Sequence, residues 1–125
     1  MSVERRNYKR FITQDKTFVK LKSASSKVGK VNDIGIKGLG FSYLSESIGI
    51  NSGSVSFRVD IYRKNEFYLT NVHCKVVYDI PDPKSDKNHG IITRRCGLHF
   101  GELTKIQSEL LELFLKNYTT GPLSS

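Results

Sequence analysis

The chain has 125 residues, 38% of them hydrophobic, which is enough for one folded core and too few for two. Lysine and arginine number 20 against 12 acidic residues, and this net charge of +8 favours an anionic partner such as a nucleotide, a nucleic acid or an acidic membrane surface. Because no stretch approaches the roughly 20 apolar residues of a spanning helix, we expect a cytoplasmic protein without membrane insertion.

The N-terminal segment, residues 1–13, is polar and charged and has no hydrophobic periodicity, which predicts a mobile arm. It contains Arg5, and it contains Arg6 and Arg10 at the spacing R-x-x-x-R. Planar guanidinium groups at this spacing suit phosphate or guanine. The alternative interpretation is a solvated basic tail.

Short β-strands are predicted for most of the next ninety or so residues, because branched and aromatic residues alternate with polar ones between turn-forming segments. Residues 55–62 alternate without a break, and residues 72–80 alternate again until Pro81 ends the pattern. The predicted strands are residues 18–21, two strands separated by a tight turn within 31–42, and residues 55–62, 67–70, 72–80 and 91–100.

The C-terminal part changes to apolar spacings of three and four, which predicts an amphipathic helix over about residues 104–118. Thr104 and Gln107 have the spacing of a capping box. The apolar stripe consists mainly of Leu103, Ile106, Leu110 and Phe114. Residues 119–125 are predicted to be a tail. Six or so strands followed by one helix indicate a mainly β protein, a small antiparallel barrel with a helix at its end.

Two motifs in the first third of the chain resemble those of the PilZ domain family, in which R-x-x-x-R is followed by (Asp or Asn)-x-Ser-x-x-Gly. Arg6 and Arg10 match the first motif, and Asp33 and Gly38 match the second. Gly35 stands where the family pattern has serine. The family ending Gly-(Val or Leu)-x-Phe before a helix is similar to Gly97-Leu98-His99-Phe100.

This resemblance implies a six-stranded antiparallel β-barrel of PilZ type with a C-terminal helix, over residues 14–118, preceded by the arm of residues 1–13. It also implies a receptor or adaptor for the bacterial messenger cyclic di-GMP, with no enzyme activity and no cofactor. Such a protein would couple messenger binding to a change in its arm and to an effector protein, as a monomer or homodimer, in a process such as motility or biofilm regulation.

The resemblance also assigns the binding residues. Arg6 and Arg10 would contact phosphate or guanine, with Arg5 as a further phosphate contact. Asp33 would accept hydrogen bonds from the N1–H and N2–H₂ edge of guanine, although a turn or bulge residue bonded to nearby backbone is the alternative. Gly38 would let the backbone approach the base closely.

Three further residues leave the binding prediction open. Gly35 removes a hydroxyl, and one neutral hydrogen bond is worth about 1 kcal/mol, so affinity would be weakened roughly five- to tenfold. The alternative is a PilZ-like interaction module without nucleotide binding. Arg94 and Arg95 point in alternate directions along a strand, so one of them can line the same face as the arm, while an ordinary solvent-facing charge is the alternative.

The remaining reactive residues predict no catalytic or metal site. Cys74 and Cys96 lie far apart in strand-like segments, which predicts buried, reduced thiols, with a disulfide or a metal site shared with His73 or His99 as the alternative.

A nucleic-acid-binding barrel is a further interpretation that the net charge of +8 allows. It requires aromatic residues interleaved with basic ones on an open sheet face. Phe57 and Phe100 are instead predicted to face the core, which argues against nucleic acid as a partner.

Overall fold

The computed structural model describes residues 9–22, 27–45, 56–84 and 91–122. Within these ranges the chain forms eight β-strands and one α-helix. In chain order they are β1 (Arg10–Thr13), β2 (Phe18–Lys22), β3 (Val28–Gly35), β4 (Gly38–Ser45), β5 (Ser56–Arg63), β6 (Phe67–Pro81), β7 (Ile92–Phe100), α1 (Lys105–Asn117) and β8 (Thr119–Pro122).

Six of these strands close into an antiparallel barrel. Hydrogen bonding follows the order β2, β5, β6, β7, β4, β3, and β3 returns to pair with β2. β3 pairs with β4 along one edge and is shared by two strands along the other: Lys30 lies opposite Phe18 of β2, which closes the barrel, and Gly35 lies opposite Arg10 of β1. The prediction of a mainly β, six-stranded antiparallel barrel with one C-terminal helix is confirmed.

Both ends of the described chain differ from the prediction. Residues 10–13 do not belong to a mobile arm, because β1 pairs with β3 on one side and with β8 on the other. Residues 119–122 are correspondingly a strand and not part of a tail. Residues 1–8, which include Arg5 and Arg6, lie outside the described residues.

The helix α1 begins and packs largely as its sequence predicts. Thr104 accepts a hydrogen bond from the backbone of Gln107, whose side chain accepts one from the backbone of Thr104, which completes the capping box. The face that packs on the barrel is centred on Leu111 and Phe114, whereas Ile106, predicted to be in the stripe, is 70% exposed. None of the helical segments among the described residues is both long and apolar enough to cross a membrane.

The two cysteines are buried free thiols in the barrel core, as predicted. Burial raises the pKa of Cys74 to about 12, and mainly burial raises the pKa of Cys96 to about 12 as well. Since the ordinary value is 9.0, the unfolded chain releases these protons at lower pH than the folded chain does.

We therefore expect the free energy of unfolding to be unaffected by the thiols below about pH 9 and to fall as pH rises from there towards 12. Urea denaturation at a series of alkaline pH values measures this. Because lysines and tyrosines also titrate there, the comparison is with Cys74→Ala, in which the decline should be shallower. An equal decline in both proteins would contradict the prediction.

Candidate functional site

Four glycines lie on the outer face of the barrel wall, where they are buried beneath neighbouring groups. Side chains alternate between the two faces of a strand, and Leu39, Phe41 and Leu98 are buried in the core. Their neighbours on β4 and β7 therefore face outward, and Gly40 lies directly opposite Gly97. We name this patch the glycine floor; it consists of Gly35, Gly38, Gly40 and Gly97.

A charged pair lies on the glycine floor. Nη1 of Arg10 donates a hydrogen bond to Oδ1 of Asp33 at 2.6 Å. The guanidinium covers Gly38, since its Nη2 would be 3.2 Å from a Cβ at that position, and Oδ2 of Asp33 would be 2.9 Å from a Cβ at Gly40. The two side chains are only 19% and 12% exposed. The glycines thus let both charged groups lie close against the sheet.

Asp33 is not a turn residue, although the bulge that the alternative interpretation also named is present beside it, because the register of β3 against β4 shifts between Val31 and Asp33. It lies within β3, opposite Gly40 of β4, and its carboxylate bonds to the side chain of Arg10, 23 residues earlier in the chain. The structure therefore brings together one residue from each predicted motif. This contact places a carboxylate acceptor and a guanidinium donor side by side, as recognition of a guanine edge and a phosphate would require.

Gly35 has a structural role that the sequence did not reveal. A Cβ at this position would come within 2.4 Å of the backbone oxygen of Lys9 and 3.1 Å of Cδ of Arg10. The absence of a side chain therefore lets β1 approach β3 closely. The same feature that removes the expected hydroxyl also allows Arg10 to reach the glycine floor.

The structure separates the two arginines of β7. The side chain of Arg94 lies on the inner face of β7. Its Nε donates a hydrogen bond to Oδ1 of Asp79 at 2.9 Å, and its Nη2 donates one to the Asp79 backbone oxygen at 2.9 Å. The hydrogen bond to Asp79 is the main cause that raises the pKa of Arg94. Arg95 is exposed and lies opposite Ser42. It faces outward beside Gly97, so of the two it is Arg95 that lines the face carrying Arg10.

Sequence reasoning missed Tyr78. An unbroken alternation over residues 72–80 would put Tyr78 on the same face as Val76, but the pairing of β6 with β7 shifts between these two residues, and Tyr78 lies opposite Gly97 on the outer face. Its side chain is 40% exposed. The alternation of apolar and polar residues does not reveal a bulge of this kind. The sequence signal for it is Gly97, because a glycine leaves space for an aromatic side chain on the neighbouring strand.

The strand aromatics divide between the two faces of the barrel. Phe100 is buried and Phe57 packs against the core, as predicted. In contrast, Phe18, Tyr62 and Tyr68 form a row across β2, β5 and β6 with ring centroids 5.9 and 5.7 Å apart. Tyr68 is 57% exposed, so this row lies on the outer surface, away from the glycine floor.

Comparison with known proteins yields a family and several similar folds. The sequence model of the PilZ domain matches residues 4–117. The structure resembles the PilZ domain of YcgR from Escherichia coli, solved with c-di-GMP, with a TM-score of 0.70 and 13% identity over 90% of this chain and 91% of that domain. No protein with curated annotation gave a significant match.

Two longer proteins are also similar in structure. The Bacillus subtilis inhibitor of motility (MotI/DgrA) has a TM-score of 0.67 and 20% identity over 91% of this chain and 51% of its own. The K. pneumonia protein MrkH, solved with c-di-GMP, has a TM-score of 0.68 and 13% identity over 92% of this chain and 52% of its own. These likenesses concern the fold, while the family match covers nearly the whole sequence. The chain belongs to the PilZ domain family.

Proposed function

We propose that the protein is a receptor for cyclic di-GMP and that the ligand binds on the glycine floor at the Arg10–Asp33 pair. The observation that carries this proposal is the pair itself, one residue from each motif, held close against the outer face of the sheet because Gly38 and Gly40 have no side chains. Cyclic di-GMP presents two phosphates and two guanines, which need a cation and a carboxylate acceptor, respectively. The similar YcgR domain was solved with the same ligand.

Each member of the site has a distinct chemical task. The guanidinium of Arg10 can donate two parallel hydrogen bonds to phosphate or to guanine O6 and N7. Oδ1 of Asp33 already accepts from Arg10, whereas Oδ2 lies over Gly40 and can accept from the guanine N–H groups. The ion pair fixes both groups before ligand arrives, which lowers the conformational entropy that binding costs.

The preceding segment would complete the site. Arg5 and Arg6 come shortly before β1, so they can close over a ligand that Arg10 already holds. Binding shifts a conformation only through contacts made better in one state, and these arginines would make such contacts. The rearranged segment would present a changed surface to an effector protein, so that the chain acts as a cytoplasmic adaptor in motility or biofilm regulation and not as an enzyme.

Calorimetric titration with cyclic di-GMP tests the proposal directly. We expect saturable binding whose affinity decreases with added salt, because arginine contacts to phosphate are partly screened. Single-stranded oligonucleotides serve as the comparison, since the outer aromatic row of Phe18, Tyr62 and Tyr68 could stack bases on its own. Saturable oligonucleotide binding without a cyclic di-GMP signal would contradict the proposal.

The second candidate function is a protein-interaction module that does not bind the nucleotide. It is favoured by Gly35, which replaces the motif serine, and by the Arg10–Asp33 contact, which satisfies both charges without a ligand. No heat with cyclic di-GMP at high micromolar concentration, from a protein with a cooperative unfolding transition, would select this module over the receptor.

A further inference from the structure

A single row of residues crosses four strands on the outer face of the barrel. Asp33 of β3 lies opposite Gly40 of β4, Gly40 lies opposite Gly97 of β7, and Gly97 lies opposite Tyr78 of β6. Neighbouring strands are about 4.8 Å apart, so the backbones at the two ends of the row are separated by roughly 14 Å. The row therefore has an acid at one end, an aromatic ring at the other and two glycines between them, each covered by the side chain next to it.

The ring of Tyr78 lies against the backbone of Gly97. Three adjacent ring atoms, Cε2, Cδ2 and Cζ, would come within 2.3, 2.7 and 2.8 Å of a Cβ at Gly97. Such similar distances to neighbouring atoms mean that a face of the ring, and not its edge, rests on β7. Because the side chain is 40% exposed, its other face is accessible to solvent. An exposed aromatic face of this kind is suited to stacking with a base.

The outward direction of Tyr78 is fixed from inside the barrel. The bulge between Val76 and Tyr78 turns the next residue, Asp79, inward, where its side chain is 2% exposed. There it is bound by Arg94 and accepts a hydrogen bond from the hydroxyl of Tyr43 at 2.5 Å. A buried carboxylate with these partners would be costly to expose or unpair. The same contacts that hold Asp79 inside therefore keep Tyr78 outside.

From this geometry we infer that Tyr78 is a further ligand-binding residue, on which one guanine base of cyclic di-GMP stacks while the Arg10–Asp33 pair holds the other end of the ligand. The inference rests on the proposed function. Gly97 is required beneath the ring, since any side chain there would lift it off the sheet. Arg95 faces outward in the adjacent row, between Ser42 and Ile80, where it can contact the stacked base or a phosphate.

A fluorescence titration tests this contact at one position. The chain contains no tryptophan, so Tyr78→Trp introduces a single tryptophan, of larger stacking area, whose emission can be excited apart from that of the tyrosines. Tyr68→Trp is the matched control, because Tyr68 is also exposed on β6 but belongs to the aromatic row on the far part of the surface. We expect cyclic di-GMP to quench the emission of the Tyr78→Trp variant saturably and to leave that of the Tyr68→Trp variant unchanged.

Calorimetry on two further variants measures the contribution of the ring. Tyr78→Phe keeps the aromatic face, and we expect its affinity for cyclic di-GMP to stay within about twofold of the parent protein. Tyr78→Ala removes it, and the affinity should fall by roughly 5- to 100-fold, as base stacking on aromatic side chains does. Thermal unfolding of both variants confirms that they remain folded.

The outcomes separate this inference from the proposed function. If the parent protein binds cyclic di-GMP and Tyr78→Ala binds it equally well, or if the Tyr78→Trp emission does not respond while calorimetry shows binding, the role of Tyr78 is overturned and the receptor function stands. If the parent protein shows no binding at all, both are overturned.

Discussion

Replacing Arg10 with alanine is expected to lower the affinity for cyclic di-GMP by about 10- to 150-fold. A hydrogen bond to a charged group contributes roughly 1.5 to 3 kcal/mol, which corresponds to this range. The substitution has a second effect, because Arg10 also pairs with Asp33 at 2.6 Å. Without its partner, the Asp33 carboxylate would face the ligand phosphates as an uncompensated negative charge.

The matched control for this prediction is Arg58→Ala. Arg58 lies on β5, on a different part of the barrel surface, and its side chain is exposed with a hydrogen bond to His73. The two substitutions change the net charge equally, so a general electrostatic effect would lower the affinity of both. Calorimetry at two salt concentrations should show a large loss and a weaker salt dependence only for Arg10→Ala. Equal affinities of the two variants would show that Arg10 does not contact the ligand.

Replacing Gly35 with serine, which would restore the family motif, is expected to weaken binding. The serine Cβ would begin 2.4 Å from the backbone oxygen of Lys9, so β1 would have to move by about 1 Å to reach an ordinary contact of 3.4 Å. Overpacking of this kind costs typically 1 to 3 kcal/mol, whereas the gained hydroxyl contributes about 1 kcal/mol. Steric displacement of Arg10 therefore outweighs the added hydrogen bond.

The companion variant Gly35→Ala has the same Cβ without the hydroxyl. If displacement of β1 dominates, both variants should lose thermal stability and both should bind cyclic di-GMP more weakly than the parent protein. Differential scanning calorimetry and calorimetric titration measure the two effects. A Gly35→Ser variant that binds more tightly than the parent would show instead that β1 adapts at little cost and that only the hydroxyl was missing.

Much of the fold could be predicted because the relevant signals are local. The unbroken alternation before Tyr62 and the capping box at Thr104 each specify one element within a few residues. The strands β1 and β8 could not be found this way. Each has four residues; β1 is a strand because β3 and β8 supply its hydrogen-bond partners, and β8 is a strand because β1 supplies its partners. Such pairings join distant parts of the chain, which a local pattern does not encode.

The residues of the candidate site also fall into those that a local sequence pattern indicates and those that depend on pairing between strands. Arg10 and Asp33 could be predicted because they belong to short motifs, and the structure places their side chains in contact. Tyr78 could not, since one extra residue in β6 exchanges the inner and outer faces beyond it. The choice between Arg94 and Arg95 was likewise undetermined, because it depends on a buried acid, Asp79, on another strand.

The position of β1 between two partners has a mechanical consequence. Arg10 and Phe11 pair with β3, while Phe11 and Ile12 pair with β8, the strand that directly follows α1. The backbone of Gln14 also bonds to Tyr118, the residue that caps the helix. Backbone hydrogen bonds therefore connect β1, the strand that carries Arg10, to the C-terminal end of α1. A ligand that moved Arg10 would therefore move the strand that also holds the C-terminal end of α1, so binding at the outer face would change how the helix packs.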